Sequence, residues 1–430
     1  MKASNYNFFY QYDDESYLAY NSRSNSLAVM TIDNYHKYED FVSTGKEIED
    51  DELLSQLKQG LFLINDDIDE LKILRFKMYK DRMNSSGLGL TIAPTSDCNF
   101  RCIYCYEKNS LRQKVMTNDI EDAILKFVEY VSDTIKYLNI SWYGGEPLMR
   151  FDIVERLSNR LIKLCDEKQI EYSASIITNG YLLNSDILKR MKECKINSIQ
   201  ITLDGPKEVH DKRRVLVNGK GTFEKIFENL IECKEDLPIV NLRINVDQTN
   251  KNSINYIYDT LKEYDLIGKV IPYLGHVKAS NGCYGEDKCV SCNEFSSLTY
   301  DFQEYTNRGV RTFYPILRTN SCGADSLYSF VIDSDGELYK CWDDIGIKDK
   351  SVGNILDNSF INMTNINYMT IDPTLNSECS KCKYLPVCMG GCPVSFGKKE
   401  NCTYFKYNLE KYLKHTANKL IEENKKQNSN

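Results

Sequence analysis

Cys98, Cys102 and Cys105 lie on one short stretch, Asp97-Cys98-Asn99-Phe100-Arg101-Cys102-Ile103-Tyr104-Cys105-Tyr106-Glu107, with three and then two residues between them. Thiolates are the ligands that iron-sulfur clusters prefer, and a cubane takes four. Three on one tight loop leave one iron open to a further ligand. A second cysteine set follows far downstream. Thirteen residues separate Cys322 from Gly336 and four separate Gly336 from Cys341; Cys379, Cys382, Cys388 and Cys392 follow at intervals of two, five and three, and Cys402 closes the set. Two-residue spacings also occur in zinc knuckles and redox pairs, which is the plain alternative for either set taken alone. With sixteen cysteines and only His36, His210, His276 and His415 as histidines, metal chemistry here falls to sulfur.

The elements that must position these loops alternate. From Leu88 the pattern runs strand, helix, strand, with strands expected at Leu88 to Ala93, Leu138 to Tyr143, Ile170 to Ile177, Ser198 to Leu203, Ile239 to Val246 and Lys269 to Tyr273. One helix is expected to open at Asn118, with Glu121 completing a capping box, and another after Asn184 and Ser185. Repeated βα units argue for parallel strands whose functional groups gather at their C-terminal ends. The cysteine loop follows the first strand and Gly144-Gly145-Glu146-Pro147 the second. Ser175 and Thr178-Asn179-Gly180 belong to the end of the third, and Asp204-Gly205-Pro206 to the end of the fourth.

Residues 1 to 84 read as a small α+β unit. A hairpin is expected from Tyr17 to Met30, then a helix near Asn34 to Val42 and a second one capped by Asp50 or Asp51 and ended by Gly60. A wing strand at Leu61 to Ile64 and an amphipathic helix bearing Ile68, Leu71, Leu74 and Met78 complete it. A length of 430 residues suggests about three domains. The net charge of −8 argues against nucleic acid as a partner. No signal segment and no long apolar run are present, so a cytoplasmic protein with no membrane partner is expected. Free thiols fit a reducing compartment.

The three-cysteine loop resembles the defining loop of the radical S-adenosylmethionine (SAM) enzymes, and the downstream set resembles their SPASM extension. The resemblance covers about residues 88 to 275 and 320 to 405. It implies an α/β fold: a partial (β/α)6 TIM-like barrel at 85–280, preceded by a winged-helix-like leader-recognition domain at 1–84, for which a structural cap on the catalytic domain is the alternative. A cysteine-containing linker at 281–320, a SPASM domain at 321–408 and a C-terminal helix and tail at 409–430 would follow. It implies S-adenosyl-L-methionine and three 4Fe-4S clusters. Cys98, Cys102 and Cys105 would hold the SAM-binding cluster, and Cys379, Cys382, Cys388 and Cys402 the distal auxiliary one. Cys322, Cys341 and Cys392 would hold the nearer one, a ligand short; Cys283, Cys289 and Cys292 could complete it, bind a metal of their own or fold over the active site, or that iron stays open to a substrate cysteine. Cys165, Cys194 and Cys233 lack ligand spacing and read as core thiols.

By the same resemblance Tyr104 would pack near adenine, Gly144, Gly145 and Glu146 would meet the methionyl amine, Ser175 the ribose or carboxylate, and Ile244 the adenine. The run from Leu203 to Arg214, followed by Gly221-Thr222-Phe223, resembles the subgroup that modifies peptides and sulfatases. Its Arg213 and Arg214 would either clasp a carboxylate or be solvated. The implied activity is that of a peptide maturase. A 5′-deoxyadenosyl radical would crosslink a ribosomally made precursor peptide with a leader, through thioether bonds. The alternatives are carbon-carbon closure and formylglycine formation on a sulfatase; a non-enzymatic electron-transfer or leader-binding role is a third. Sulfatase-maturing relatives carry an acid directly after the cysteine equivalent to Cys341, where this chain has Trp342 before Asp343 and Asp344. Partners implied are the peptide and an electron donor such as flavodoxin or ferredoxin, in an anaerobic setting.

Overall fold

In the computed structural model, residues 1–279, 282–357, 362–398 and 402–427 are described. The backbone divides into two compact units, one made of Met1–Met83, Ser291–Cys322 and Ile371–Asn430, the other of Asn84–Val290 and Gly323–Thr370.

The first unit begins with β1 (Lys2–Ala3), β2 (Asn7–Gln11), β3 (Ser16–Asn21) and β4 (Ser26–Thr31). The expected hairpin is β3 with β4, Tyr17 opposite Met30, and β2 adds a third antiparallel strand on the other side of β3. Helices α1 (Ile32–Thr44) and α2 (Asp51–Gln59) follow. Asp50 caps α2 by accepting from Leu53 N–H, and Gly60 ends it. The expected wing strand, β5 (Leu63–Ile64), pairs with β1 rather than with the hairpin. Helix α3 (Glu70–Arg82) is fastened at its start by the buried Glu70 carboxylate, which accepts from Ser4 Oγ at 2.6 Å and Asn5 N–H at 2.7 Å and pairs with Arg23 Nε at 2.7 Å.

The second unit holds the alternating segment. In order these are β6 (Gly87–Ile92), β7 (Phe100–Cys102), α4 (Asn118–Val131), β8 (Tyr137–Trp142), α5 (Phe151–Lys168), β9 (Glu171–Ile177) and α6 (Ser185–Glu193). Then come β10 (Ile196–Thr202), α7 (Lys207–Arg213), β11 (Arg214–Leu216), α8 (Phe223–Glu232), β12 (Ile239–Val246), α9 (Asn255–Glu263) and β13 (Val270–His276). Strands β6, β8, β9, β10, β12 and β13 are parallel neighbours in that order, the partial-barrel sheet. Asn184 caps α6 through Ile187 N–H at 2.9 Å. The capping box expected at α4 does not form. Thr117 is the cap residue, and Glu121, buried, takes two bonds from Arg156 on α5, at 2.5 and 3.1 Å. A carboxylate turned into a helix-helix contact gains more from a guanidinium fork than from a backbone N–H at the helix end.

The two faces of this sheet differ. Leu90, Ile140, Trp142, Ile176, Ile199, Ile201, Leu242 and Ile244 are buried on one face, while register sets Thr91, Ser141, Ser175, Gln200, Arg243 and Tyr273 on the other. A parallel sheet normally has two apolar faces. A polar inner face therefore marks the side available for chemistry. Beyond β6 the sheet gains β14 (Ser329–Ile332), parallel to β6, then β15 (Glu337–Tyr339) and β16 (Gly353–Asn354), both antiparallel. The segment 323–370 thus belongs with the sheet and not with the later cysteines, because main-chain pairing with β6 outweighs sequence proximity.

Within 281–320, expected as a linker, the described residues include helix α10 (Cys292–Tyr305) and a short turn at Val310–Phe313. Tyr300 and Phe313 join Phe8, Leu18 and Tyr20 in one core with Phe405, Leu409, Tyr412 and Leu413 of the C-terminal helix Phe405–Gln427. A second core packs Leu74 and Met78 of α3 with Tyr6, Leu385 and Met389. Cys165, Cys194 and Cys233 are buried core thiols. Among the described residues no helix is long and apolar enough to cross a membrane.

Candidate functional site

The three-cysteine loop is built between two other loops of the same sheet end. Its β7 pairs with β11, Cys102 opposite Arg214, and Ile103 N–H bonds to the Arg213 carbonyl at 3.0 Å. On the other side, Gly145 N–H donates to the Thr95 carbonyl at 3.2 Å and Glu146 N–H to the Asp97 carbonyl at 2.9 Å. A Cβ at Gly145 would stand 2.1 Å from the Asp97 oxygen, and at Gly144, where φ is +99°, 2.6 Å from Ala93 Cβ. Only glycines let this turn lie against the cysteine loop. The Glu146 carboxylate is buried and accepts from Leu148 N–H at 3.0 Å, Thr178 Oγ1 at 2.6 Å and Asn179 N–H at 2.7 Å. Asn179 Nδ2 in turn reaches Asn99 at 2.7 Å. The Gly144–Glu146 turn thus braces the loop, with its side chain and these two N–H groups committed to protein.

Burial pushes the Cys98 thiol well up and Cys105 up to about 12. It also raises Cys102, against the opposing charge of Arg214. Thiols in such a place keep their protons at neutral pH unless a metal displaces them. As a donor set they fit cluster iron, with Phe100 N–H already 3.4 Å from Cys98 Sγ.

Tyr104 is held by its hydroxyl as well as its ring. It donates to Asp204 Oδ2 at 2.6 Å and accepts from Arg214 Nη1 and Asn245 Nδ2, both at 3.0 Å. Arg213, fully buried, is not solvated: Nε meets Asp204 Oδ2 at 3.0 Å, Nη1 meets Asp247 Oδ2 at 2.6 Å, and its Cζ lies 5.0 Å from the Tyr104 ring centre. His210 stands behind this network. Its Nδ1 accepts from Asp204 N–H at 3.2 Å and its Nε2 lies 3.0 Å from Thr222 Oγ1, a neutral tautomer; burial holds its pKa down to about 4. Tyr284 OH closes the chain by donating to Asp247 Oδ2 at 2.7 Å, and the neighbouring Cys283 Sγ lies 3.4 Å from the Tyr106 carbonyl.

Of the remaining expected contacts, Ser175 is on the polar face, its Oγ 3.1 Å from Ser141 Oγ. Ile244 is fully buried on the opposite face, while its neighbours Arg243 and Asn245 carry the polar side of β12. Cys341 follows β15 and leads into Trp342, which is 39% exposed and packs on Tyr143 with ring centres 4.9 Å apart. The two acids after it diverge. Asp344 is buried, bound by Lys350 Nζ and Tyr368 OH at 2.7 Å each, whereas Asp343 faces Glu107, whose carboxyl is pushed up to about 7 by burial and then by that charge.

In the first unit, Cys379, Cys382, Cys388 and Cys402 line one cavity of about 210 Å3 together with Tyr384 and Lys406. Lys406 Nζ is 3.3 Å from Cys402 Sγ. Among the described residues no three His, Cys, Asp or Glu side chains converge tightly enough for a single ion. As a donor set, four thiols lining one cavity fit cluster iron. Cys322 and Cys392 are exposed in this unit, Cys341 belongs to the other, and Cys283 and Cys289 are divided in the same way from Cys292 at the start of α10.

Residues 92–261 match the radical SAM superfamily. The chain belongs to that superfamily. A cysteine-type anaerobic sulfatase-maturating enzyme of Clostridium perfringens strain 13 is 27% identical over 366 residues, 78% of this chain and 97% of that protein. The serine-type enzyme of Bacteroides thetaiotaomicron is 25% identical over 340 residues, 69% and 80%. Among solved structures, native anSMEcpe with bound AdoMet and Cp18Cys peptide has a TM-score of 0.60 at 23% identity, covering 77% of this chain and 99% of that one. Streptococcus suis SuiB bound to precursor peptide SuiA has a TM-score of 0.56 at 16% identity, covering 93% and 99%. These two likenesses concern the fold. As a radical SAM enzyme the chain has its superfamily loop where Tyr104, Asp204 and Asn245 converge. The motif run contained Asp204, Arg213 and Arg214 without revealing their partners. Asn245, Asp247 and Tyr284 left no local signal, because they meet the loop only across strands.

Proposed function

We propose that this radical SAM enzyme modifies a peptide, and that it acts at a cysteine of a precursor peptide or of an unfolded protein segment. The observation that carries this reading is the near-complete overlap with a cysteine-type sulfatase-maturating enzyme, 97% of its length, joined to an open polar sheet face beside the cysteine loop. When bound, the cluster and S-adenosyl-L-methionine would supply a hydrogen-abstracting adenosyl radical. Cys98, Cys102 and Cys105 would hold that cluster. Cys379, Cys382, Cys388 and Cys402 would hold an auxiliary one. Tyr104, buttressed by Asp204, Arg214 and Asn245, would wall the cosubstrate side, and the polar face from Ser175 to Arg243 would receive substrate. Asp343, whose charge reaches Glu107 and Tyr143, would be the acid to take up a proton that Trp342 cannot.

The curated relatives favour formylglycine formation over the thioether crosslinking expected from the motifs. One observation keeps the crosslinking reading: the fold likeness to SuiB extends over 93% of this chain, against 77% for anSMEcpe, and so reaches further along it. The experiment is anaerobic incubation of reconstituted enzyme, S-adenosylmethionine and reductant with two substrates, a cysteine-containing sulfatase peptide and the precursor peptide encoded beside the gene. Loss of sulfur from the first supports formylglycine formation. Loss of two hydrogens from the second, with thiols no longer alkylatable, supports thioether closure. The same loss with free thiols supports carbon-carbon closure, and deoxyadenosine release with neither peptide changed would remove the peptide reading. A flavodoxin or ferredoxin is the expected electron donor.

A further inference from the structure

Three arginines lie near the inner side of the sheet, and they are used differently. Arg213 is saturated by Asp204, Asp247, Thr249 and the Asn245 carbonyl. Arg214 is buried beside Cys102, gives Nη1 to Tyr104 OH and leaves its Nε without a partner, closed off from an incoming ligand. Arg243 is different. It projects from the polar face of β12, half-buried, and its Nε donates to Asn245 Oδ1 at 2.6 Å. Neither Nη group has a hydrogen-bond or ion-pair partner among the described residues.

Its position is provided for. Gly275 on β13 lies beside it, and a Cβ there would stand 2.5 Å from Arg243 Cζ and Nε and 2.7 Å from Nη2. Glycine at 275 is thus what gives the guanidinium its room; the backbone there does not require it, since only the space is tight. Tyr273, opposite Arg243 in register, has its ring centre 5.9 Å from the guanidinium carbon and spends its hydroxyl on Gln200 at 2.6 Å. Across the inner face stands Tyr143, whose phenol is raised by burial first, further by Cys105, Asp343 and Cys341, and is opposed by the Arg243 charge. The Arg243 charge therefore reaches the same phenol as Cys105, and Trp342 packs on that phenol's ring.

A guanidinium held half-buried without a counter-charge, with two parallel donors free, matches a carboxylate in shape and sign. We propose that Arg243 is the anchor for a carboxylate of the substrate peptide, a glutamate or aspartate side chain near the modified residue, and that Gly275 is kept small to hold that fork open. This rests on the peptide-modifying reading above and names a feature of the peptide. The methionyl carboxylate of the cosubstrate has the same chemistry. The peptide is favoured because the Arg243 charge reaches Tyr143, on which Trp342 packs, whereas the cosubstrate expectation falls on Ser175, two strands away.

The test uses reconstituted holoenzyme and a set of end-blocked, cysteine-containing synthetic peptides in which a single glutamate is moved residue by residue, each with its glutamine counterpart. Binding is read by fluorescence anisotropy, and S-adenosylmethionine affinity is read separately by calorimetry. At one glutamate position the wild type should bind about tenfold or more tighter than to the glutamine peptide, as expected for a charge-assisted bidentate pair. Arg243→Gln should abolish that preference and Arg243→Lys keep part of it. Gly275→Ala, which leaves the charge in place and closes its room, should also reduce it. Peptides bound and modified with no glutamate preference at any position would overturn the proposal and leave the function standing. A preference unaltered by Arg243→Gln, with S-adenosylmethionine affinity falling instead, would overturn it in favour of the cosubstrate. No binding of any peptide would remove the function and this inference together.

Discussion

The two cysteine sites are built in opposite ways. Cys379, Cys382, Cys388 and Cys402 come from short turns in one stretch of chain and line their cavity as a set of four, with Lys406 as the nearest charge. Cys98, Cys102 and Cys105 are three, and what surrounds them is recruited from four other loops: the Gly144–Glu146 turn, Asn179, the Asp204–Arg214 run and the end of β12. A closed set needs little beyond its ligands. A three-thiol site that left one iron open would also have to fix where the cosubstrate and the substrate lie, and buried charge-assisted hydrogen bonds would do that.

The sharpest way to break this comparison is to remove one site and read the other. Replacing Cys98, Cys102 and Cys105 together by Ala should abolish deoxyadenosine release while iron remains at the four-cysteine cavity. Iron and sulfide analysis beside the activity assay checks it, and cleavage that survives would refute the assignment. Next in size is Gly145→Ala, which drives a Cβ into the Asp97 carbonyl without touching a ligand. It should cost most of the cleavage activity at unchanged thiol count, whereas Gly397→Ala near the other cavity, with nothing within 4 Å but φ of +84°, should cost only about 1 kcal/mol of stability.

A pH dependence separates the sites further. His210 is buried neutral with its pKa lowered to about 4, against about 6.5 unfolded, so the unfolded chain binds more protons between those values. Stability from this group is therefore full above about pH 6.5 and falls as pH drops toward about 4, by up to about 3 kcal/mol. Denaturant melts at pH 7 and pH 5 should show the loss in the wild type and a flatter profile in His210→Gln. The smallest effect belongs to Asn184→Ala, which removes the cap of α6 for about 1 kcal/mol and should leave cleavage intact.

Much of this architecture was legible locally. The six parallel strands stand within a few residues of where alternation and turn residues put them, because strand period and βα order are properties of neighbouring residues. The grouping of Cys379, Cys382, Cys388 and Cys402, implied by the SPASM resemblance, reappears as the lining of one cavity. Other elements were not legible locally. Glu121 has capping-box spacing yet serves Arg156, and 281–320 looks irregular yet supplies α10 to an aromatic core. Segment 323–370 pairs with β6 although its cysteine belongs in sequence to the later set. Each depends on a partner far along the chain.

By itself, then, the sequence determined the superfamily, the order of the elements and which sulfurs could act together, since spacing is enough to place donors on one short loop. Only the tertiary structure decided that Tyr104 is an anchored residue, that Arg213 is a buried strut while Arg243 is an open fork, and that Asp343 rather than Asp344 faces Glu107. Those outcomes turn on which charges meet across strands when water is excluded. No local pattern encodes that, because burial and pairing are set by the whole packed sheet.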